Sequence, residues 1–296
     1  MTVKSAPIPS FGSKTTNKKP QSLFWKTIKT PAVLTASVVI TALVIIAIFA
    51  PWLTQYDPTS IDPSYRLKSS TAEHWLGTDA YGRDVFTRVL YGARVSLIVG
   101  AGVALLSVSL GLVIGLFSGY FRWVDAIVMR IMDGLMAIPG VLLAIALVSL
   151  SGASLTTVLI AITIPEIPRV VRLVRSVILS VRNEAYVEAA ISLGTPTLTI
   201  MRNHLLPNTL APLVVQGTYV FASAIITEAI LSFLGAGVPP EISSWGNVMA
   251  EGRSYFQLLP GLVLYPGILL SLMVLSVNVL GDALRDALDP RMTKRM

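Results

Sequence analysis

Glu184–Asn208, EAYVEAAISLGTPTLTIMRNHLLPN, is a polar stretch set between two long apolar runs near the middle of an otherwise membrane-like chain. Such a stretch has to lie outside a bilayer, yet it does not read as a loose linker. Glu184, Val187, Glu188 and Ile191 fall at helical spacing, Gly194 is a natural helix stop, and Pro196 can open the next helix at its first turn. Leu198, Met201 and Leu205 then continue a helical stripe as far as Pro207. The expectation is two short helices joined at a Gly-Thr-Pro turn, built compactly enough to serve as a docking element.

The residues around this stretch set its surroundings. With 53% hydrophobic and only 13% charged residues, the chain has lipid as its main solvent and reads as an all-α integral membrane protein. Six apolar runs are long enough to span a hydrocarbon core of about 30 Å: residues 32–53, 95–117, 124–150, 155–179, 209–234 and 260–282. An even count puts both termini on one side. The amino-terminal arm carries Lys4, Lys14, Lys18, Lys19, Lys26 and Lys29, which makes that side cytoplasmic, and 17 of the 23 Lys and Arg residues then lie inside. The net charge of +7 is explained by this bias, with no need of a nucleic-acid partner.

The chain divides accordingly. Residues 1–30 form a cytoplasmic arm too poor in apolar residues to fold alone. Residues 31–94 hold the first transmembrane helix and an external segment, 95–282 the transmembrane core with the cytoplasmic insertion 180–208, and 283–296 a cytoplasmic tail. A basic arm before an apolar run also describes a secretory signal, but a run of roughly 20 residues exceeds the usual signal core of about 7–15. We read it as an uncleaved anchor.

Several features inside the spans invite two readings. Gly111, Gly115 and Gly119 form a small-residue ridge for close helix packing, within this subunit or against another. Pro139, Pro165 and Pro168 should each kink or loosen a span. Asp125, Arg130 and Asp133 crowd the start of the third span, with Arg130 and Asp133 one turn apart as an expected ion pair. Glu166 lies near mid-span with Arg169, Arg172 and Arg175 following it, and Glu228 lies in the fifth span; each carboxylate is either structural or lines a path. Outside, residues 84–94 read as an interfacial helix with Val85, Val89 and Leu90 on the apolar side and Arg83 and Arg88 towards water. That helix either anchors the bundle or offers a resting surface, together with the external loop 235–259, for a solute-delivering protein.

Enzyme chemistry finds no foothold. A phosphate-binding P-loop needs Lys after Gly, and none of the eight Lys residues follows one. His74 and His204 fall on opposite sides of the membrane, which removes a two-histidine metal site, and the absence of Cys removes disulfides, thiolate nucleophiles and Cys-ligated metals. No metal site and no bound cofactor are expected in this chain.

Glu188-Ala189-Ala190, Gly194 and Leu206-Pro207 stand at the spacing of the loop that gives the permeases of ATP-binding-cassette importers their "EAA" signature, and the chain resembles that family. Where the family pattern has an Ile two residues before Leu-Pro, this chain has His204, a variant similar to the dipeptide, oligopeptide and nickel branch. HWLGTDAYGRDVFTRVLYGARVSL (74–97), LSFLGAGVPPEISSWGNVMAEG (231–252) and GDALRDALDPR (281–291) resemble the C-type subunit of that branch. The resemblance implies a six-helix, type I-like permease in the bacterial inner membrane, with both termini cytoplasmic and a coupling helix in the insertion. It also implies a second homologous permease, two ATP-binding subunits that consume the ATP, and an external solute-binding protein. Glu188 would then offer an acceptor to the motor, Ala189 and Ala190 would allow close approach, and Gly194 would permit the sharp reversal. Peptides are the first expectation for the solute and nickel or another small solute the alternative. A proton-coupled transporter using Glu166 or Glu228, or a scaffold without solute flux, are the readings from other classes.

Overall fold

A computed structural model describes residues 30–288; the arm and the end of the tail, including the basic cluster and the last three residues of the 281–291 stretch, lie outside the described residues. The chain runs through α1 (Pro31–Leu53), a short 3-10 turn at Pro63–Tyr65, and α2 (Val85–Tyr120). There follow α3 (Arg122–Met136), α4 (Gly140–Ser151), α5 (Leu155–Val181) and α6 (Ala185–Ser192). The last elements are α7 (Thr197–Phe233), α8 (Trp245–Gly252) and α9 (Gly261–Leu288). Among the described residues there is no strand beyond one isolated bridge between Thr78 and Asp84.

Glycine at every fourth position fixes the centre of the bundle. A Cβ on Gly111 would sit 2.5 Å from Val170 Cβ, on Gly115 2.7 Å from Val174 Cβ, and on Gly119 2.6 Å from Ile178 Cβ. α2 and α5 therefore run parallel with their backbones in close approach, and the ridge is used within this subunit. Gly100 meets Ile225 and Gly217 meets Val108, so α7 runs back antiparallel to α2. Val99, Val103, Val158, Ile162, Val174, Ile178 and Leu213 fill the shared core. On the other side of α2, Leu43 and Ala47 of α1 pack with Ala93, Ile225, Met273 and Val277. Gly115→Leu should destabilise the bundle by about 1–3 kcal/mol through overpacking, read as a lower unfolding temperature in detergent; an unchanged temperature would mean that the two helices separate freely.

Four helices, α1, α2, α7 and α9, are long and apolar enough to cross a membrane, and α3 with α4 makes a fifth if the pair is one broken span. α5 has 27 residues, about 40 Å of helix, but carries Glu166, Arg169, Arg172 and Arg175. The expected six spans are thus not reached on apolarity alone, and charge is what holds α5 back.

The prolines act unequally. The third span is not one helix over 124–150: α3 and α4 are bent by 87° at the break before Gly140. Pro139 has no amide to donate and pushes Ile138 out of helical backbone, while the Ala137 amide closes α3 on Asp133 and Gly134 carbonyls. Pro165 and Pro168, by contrast, sit inside an unbroken α5, so the fourth span is not interrupted. Nor does the pair Arg130–Asp133 form. Arg172 reaches across from α5 to Asp133 at 2.6 Å, and Arg175 chelates Asp125, so α3 is tied to α5 by two ion pairs.

The end opposite the 180–208 hairpin is closed by residues 54–84, α8 and its flanking loops. Here the expected interfacial helix 84–94 is the first part of α2 itself, capped by the Asp84 carboxylate on the Thr87 amide at 2.7 Å. Arg83 and Arg88 do not face water: they are 7% and 1% exposed. Arg83 Nε donates to Asp79 at 2.7 Å and Arg88 Nη1 to the same carboxylate oxygen at 2.6 Å, while both arginines also bind Glu251 of α8. Trp245, fully buried, donates its indole N–H to the Val89 carbonyl at 3.1 Å. Gly82, at φ +77°, lets this loop cross the Asp62 backbone where a Cβ would collide with the Asp62 carbonyl. Asp62 itself caps the 3-10 turn, and the Ser64 hydroxyl and amide hold its carboxyl below the usual carboxylate range.

Candidate functional site

The hairpin is built from its glycine outward. Leu193 ends α6, Gly194 takes φ +75°, and the Gly194 amide returns to the Ile191 carbonyl at 2.9 Å while the Thr195 amide returns to Ala190 at 3.1 Å. This pair of bonds is a Schellman closure, which satisfies the last carbonyls of α6 and reverses the chain. Nothing lies within 4 Å of a Cβ at Gly194, so its backbone angle, and not crowding, is what demands glycine there.

The second helix does not stop at Pro207. It starts at Thr197, widens into a π turn over Met201–Leu205, and continues as α7 into the bundle. Pro207 explains the widening: it has no N–H for the carbonyl four residues back and its ring crowds that carbonyl. The chain inserts one residue instead, and the Leu206 amide bonds to Met201, five residues back. Asn208 donates from Nδ2 to the His204 carbonyl at 2.6 Å and to the Tyr186 hydroxyl at 3.3 Å, and the Tyr186 and His204 rings lie 5.8 Å apart. His204 and Asn208 thereby fasten α6 to the root of α7.

The inner face is apolar and fixed. Val187 is fully buried with Ile178, Ile200, Met201 and Leu205, and Ala190 also turns inward. Arg182 donates to the Gly119 carbonyl at 3.2 Å, joining the ends of α5 and α2 beneath the hairpin. Glu188 and Ala189 point outward, beside Tyr186, Ile191, Leu193 and Leu198. Leu193 is 86% and Leu198 72% exposed. Bare apolar side chains grouped on a hairpin locked from behind are a surface of the kind that marks protein contacts. Of the expected loop residues, Leu206 and Pro207 shape the π turn and Ala190 packs inward. Tyr186 and Leu193 are exposed residues that sequence reasoning passed over, and Leu198, expected on one stripe with Met201 and Leu205, turns outward while those two are buried.

The two carboxylates expected in the spans differ. Glu228 is fully buried between the Ser232 hydroxyl at 2.8 Å and the Ser96 hydroxyl at 3.4 Å. Glu166 accepts from Ser223 at 3.0 Å and from Arg169 at 3.2 Å, and it borders a cavity of about 400 Å³ at the α3–α4 break. The structure does not bring the two together.

Membrane-length helices packed about a glycine seam, with an ion-paired face on α5 and a locked hairpin baring apolar residues at one end, are the architecture of a polytopic membrane protein, and its family match places it in the permease class. Residues 111–294 match the family described as binding-protein-dependent transport system inner membrane component, and residues 21–69 match the N-terminal transmembrane domain of oligopeptide transport permease C. The chain is 51% identical over 265 residues to a probable peptide ABC transporter permease of Sinorhizobium fredii, covering 90% of this chain and 91% of the relative. It is 46% identical to a dipeptide transport system permease of Alkalihalophilus pseudofirmus, over 86% of this chain and 84% of that one. A glutathione transport system permease of Pectobacterium atrosepticum is 38% identical over 93% of this chain and 92% of its own. The chain belongs to the binding-protein-dependent transport system inner membrane components and is a C-type permease of the dipeptide and oligopeptide branch.

Proposed function

We propose that this permease forms half of the membrane path of an ATP-driven importer for di- and oligopeptides. In this reading it pairs with a second homologous permease, two ATP-binding subunits dock from the cytoplasm, one on this hairpin and one on the second permease, and an external binding protein delivers the solute to the end capped by residues 54–84 and α8. Both termini lie in the cytoplasm, in keeping with the Lys-rich arm. The observation that carries the proposal is the hairpin. Its exposed Glu188, Leu193 and Leu198 sit on a frame locked by Gly194, Val187 and Asn208, and α7 continues from that frame into the bundle without a hinge loop. ATP-driven closure of the motor pair would move the hairpin and, through α7, the spans. Peptide as solute is supported by the relatives described as peptide and dipeptide permeases; a nickel-carrying version of the same machine would keep the coupling and change only what the binding protein hands over.

Affinity capture of the subunit in mild detergent, with mass spectrometry and an ATPase assay on the eluate, tests this assembly. The expected result is a second permease and P-loop ATPases with ATP turnover. A homo-oligomer without ATPase activity, reproduced in native lipid, would overturn it.

A further inference from the structure

Arg169 stands near the middle of α5, about 18–21 Å from either end, with its side chain 58% exposed. A guanidinium at that depth does not face hydrocarbon, since an ionised group at a helix centre costs about 2.5–3.5 kcal/mol on the insertion scale; it faces water or a polar partner. Of its donors only Nη1 is engaged, shared between the two Glu166 oxygens at 3.2 and 3.3 Å, whereas Arg172 holds Asp133 at 2.6 Å. Arg169 Nε and Nη2 have no partner among the described residues, which leaves the fork that suits a carboxylate open. Arg169, Glu166 and Ser223 all border the cavity of about 400 Å³ that the α3–α4 break creates beside Pro139, with Thr227 on its α7 wall. That volume lies within the range of small-ligand sites, about 300–1,000 Å³.

We infer that this cavity is a subsite for the ends of a zwitterionic solute: Arg169 takes the terminal carboxylate in two parallel hydrogen bonds, and Glu166, freed from Arg169 and still held by Ser223, faces the ammonium. The inference rests on the importer reading and adds to it where a short peptide pauses in the path. A loosely joined Glu–Arg pair is suited to this use, because each charge has a partner while the site is empty and exchanges it for the opposite charge on the solute. Arg172 and Arg175, bound to Asp133 and Asp125, take no part.

The chain has no cysteine, so Ile138→Cys on the apolar wall of the cavity makes a single thiol in this subunit. In the complete reconstituted complex, its labelling by a sulfonate-bearing methanethiosulfonate is followed with dialanine or dialanine amide present. Dialanine should slow labelling roughly tenfold and the amide hardly at all, the difference expected of one charge-assisted contact. Arg169→Gln should remove the protection while labelling itself continues, and Arg169→Lys should retain part of it. Equal protection by both peptides, none by either, or a thiol that reacts in the isolated subunit but is shut off in the complex would overturn the inference, the last by showing that a second permease covers Arg169. Dialanine uptake and ATPase activity in the same preparation report separately on the importer reading.

Discussion

Arg88→Ala should destabilise the subunit by about 3–5 kcal/mol, the cost of leaving one negative charge uncompensated in a largely buried cluster when a shared cation is removed. Arg88 is 1% exposed and bridges Asp79 of the 54–84 segment to Glu251 of α8, with its Nε reaching the Ser243 hydroxyl at 3.3 Å. Loss of the guanidinium leaves Arg83 as the one cation shared by Asp79 and Glu251, so the cap should come away from the bundle before the spans unfold. Thermal unfolding in detergent and protease sensitivity between residues 54 and 84 are the readouts. A double variant, Arg88→Met with Glu251→Gln, should regain much of the loss, because it removes the surplus negative charge and leaves Arg83 paired with Asp79. An Arg88→Ala protein within about 0.5 kcal/mol of wild type, the ordinary range for a surface change, would show that the cluster carries no weight.

The second large effect belongs to the hairpin. Glu188→Lys reverses the charge at the exposed acceptor on α6 without touching the inward face formed by Val187 and Ala190. Gly194→Glu adds bulk and charge at a position where left-handed backbone already costs an L-residue about 1–2 kcal/mol. Both proteins should insert and pack normally. Peptide uptake per ATP hydrolysed should fall at least about tenfold in each, equivalent to ~1.4 kcal/mol of lost coupling. Loss of folding in Gly194→Glu would show only as lower yield, so Glu188→Lys is the cleaner of the two. Normal uptake in both would sink the lever role of the hairpin.

Much of this was legible in the sequence because local rules govern it. The apolar runs, the Gly194 reversal and the outward Glu188 follow from period, glycine backbone freedom and lipid as solvent, none of which needs a distant residue. The ridge Gly111–Gly115–Gly119 was visible as a packing seam, but its mate on α5 was not. What escaped were choices made across the chain. Arg83 and Arg88 read as solvated because Glu251, their partner, lies more than 160 residues away, and no spacing announces it. Spacing pairs Asp133 with Arg130 one turn before it, while Arg172, 39 residues away, takes it. Prolines were equally ambiguous: Pro139 breaks its span, Pro165 and Pro168 are absorbed by α5, and Pro207 is absorbed by a π turn that joins the hairpin to α7. The outcome depends on what packs against each, which sequence does not state.

The most direct test of the central claim is uptake of a labelled dipeptide by proteoliposomes holding the captured complex and its loaded binding protein, driven in turn by ATP and by a proton gradient. Uptake that requires ATP, is indifferent to the gradient and collapses with Glu188→Lys is the predicted result. Uptake driven by the gradient without ATP, and lost on neutralising Glu166 or Glu228, would contradict the account.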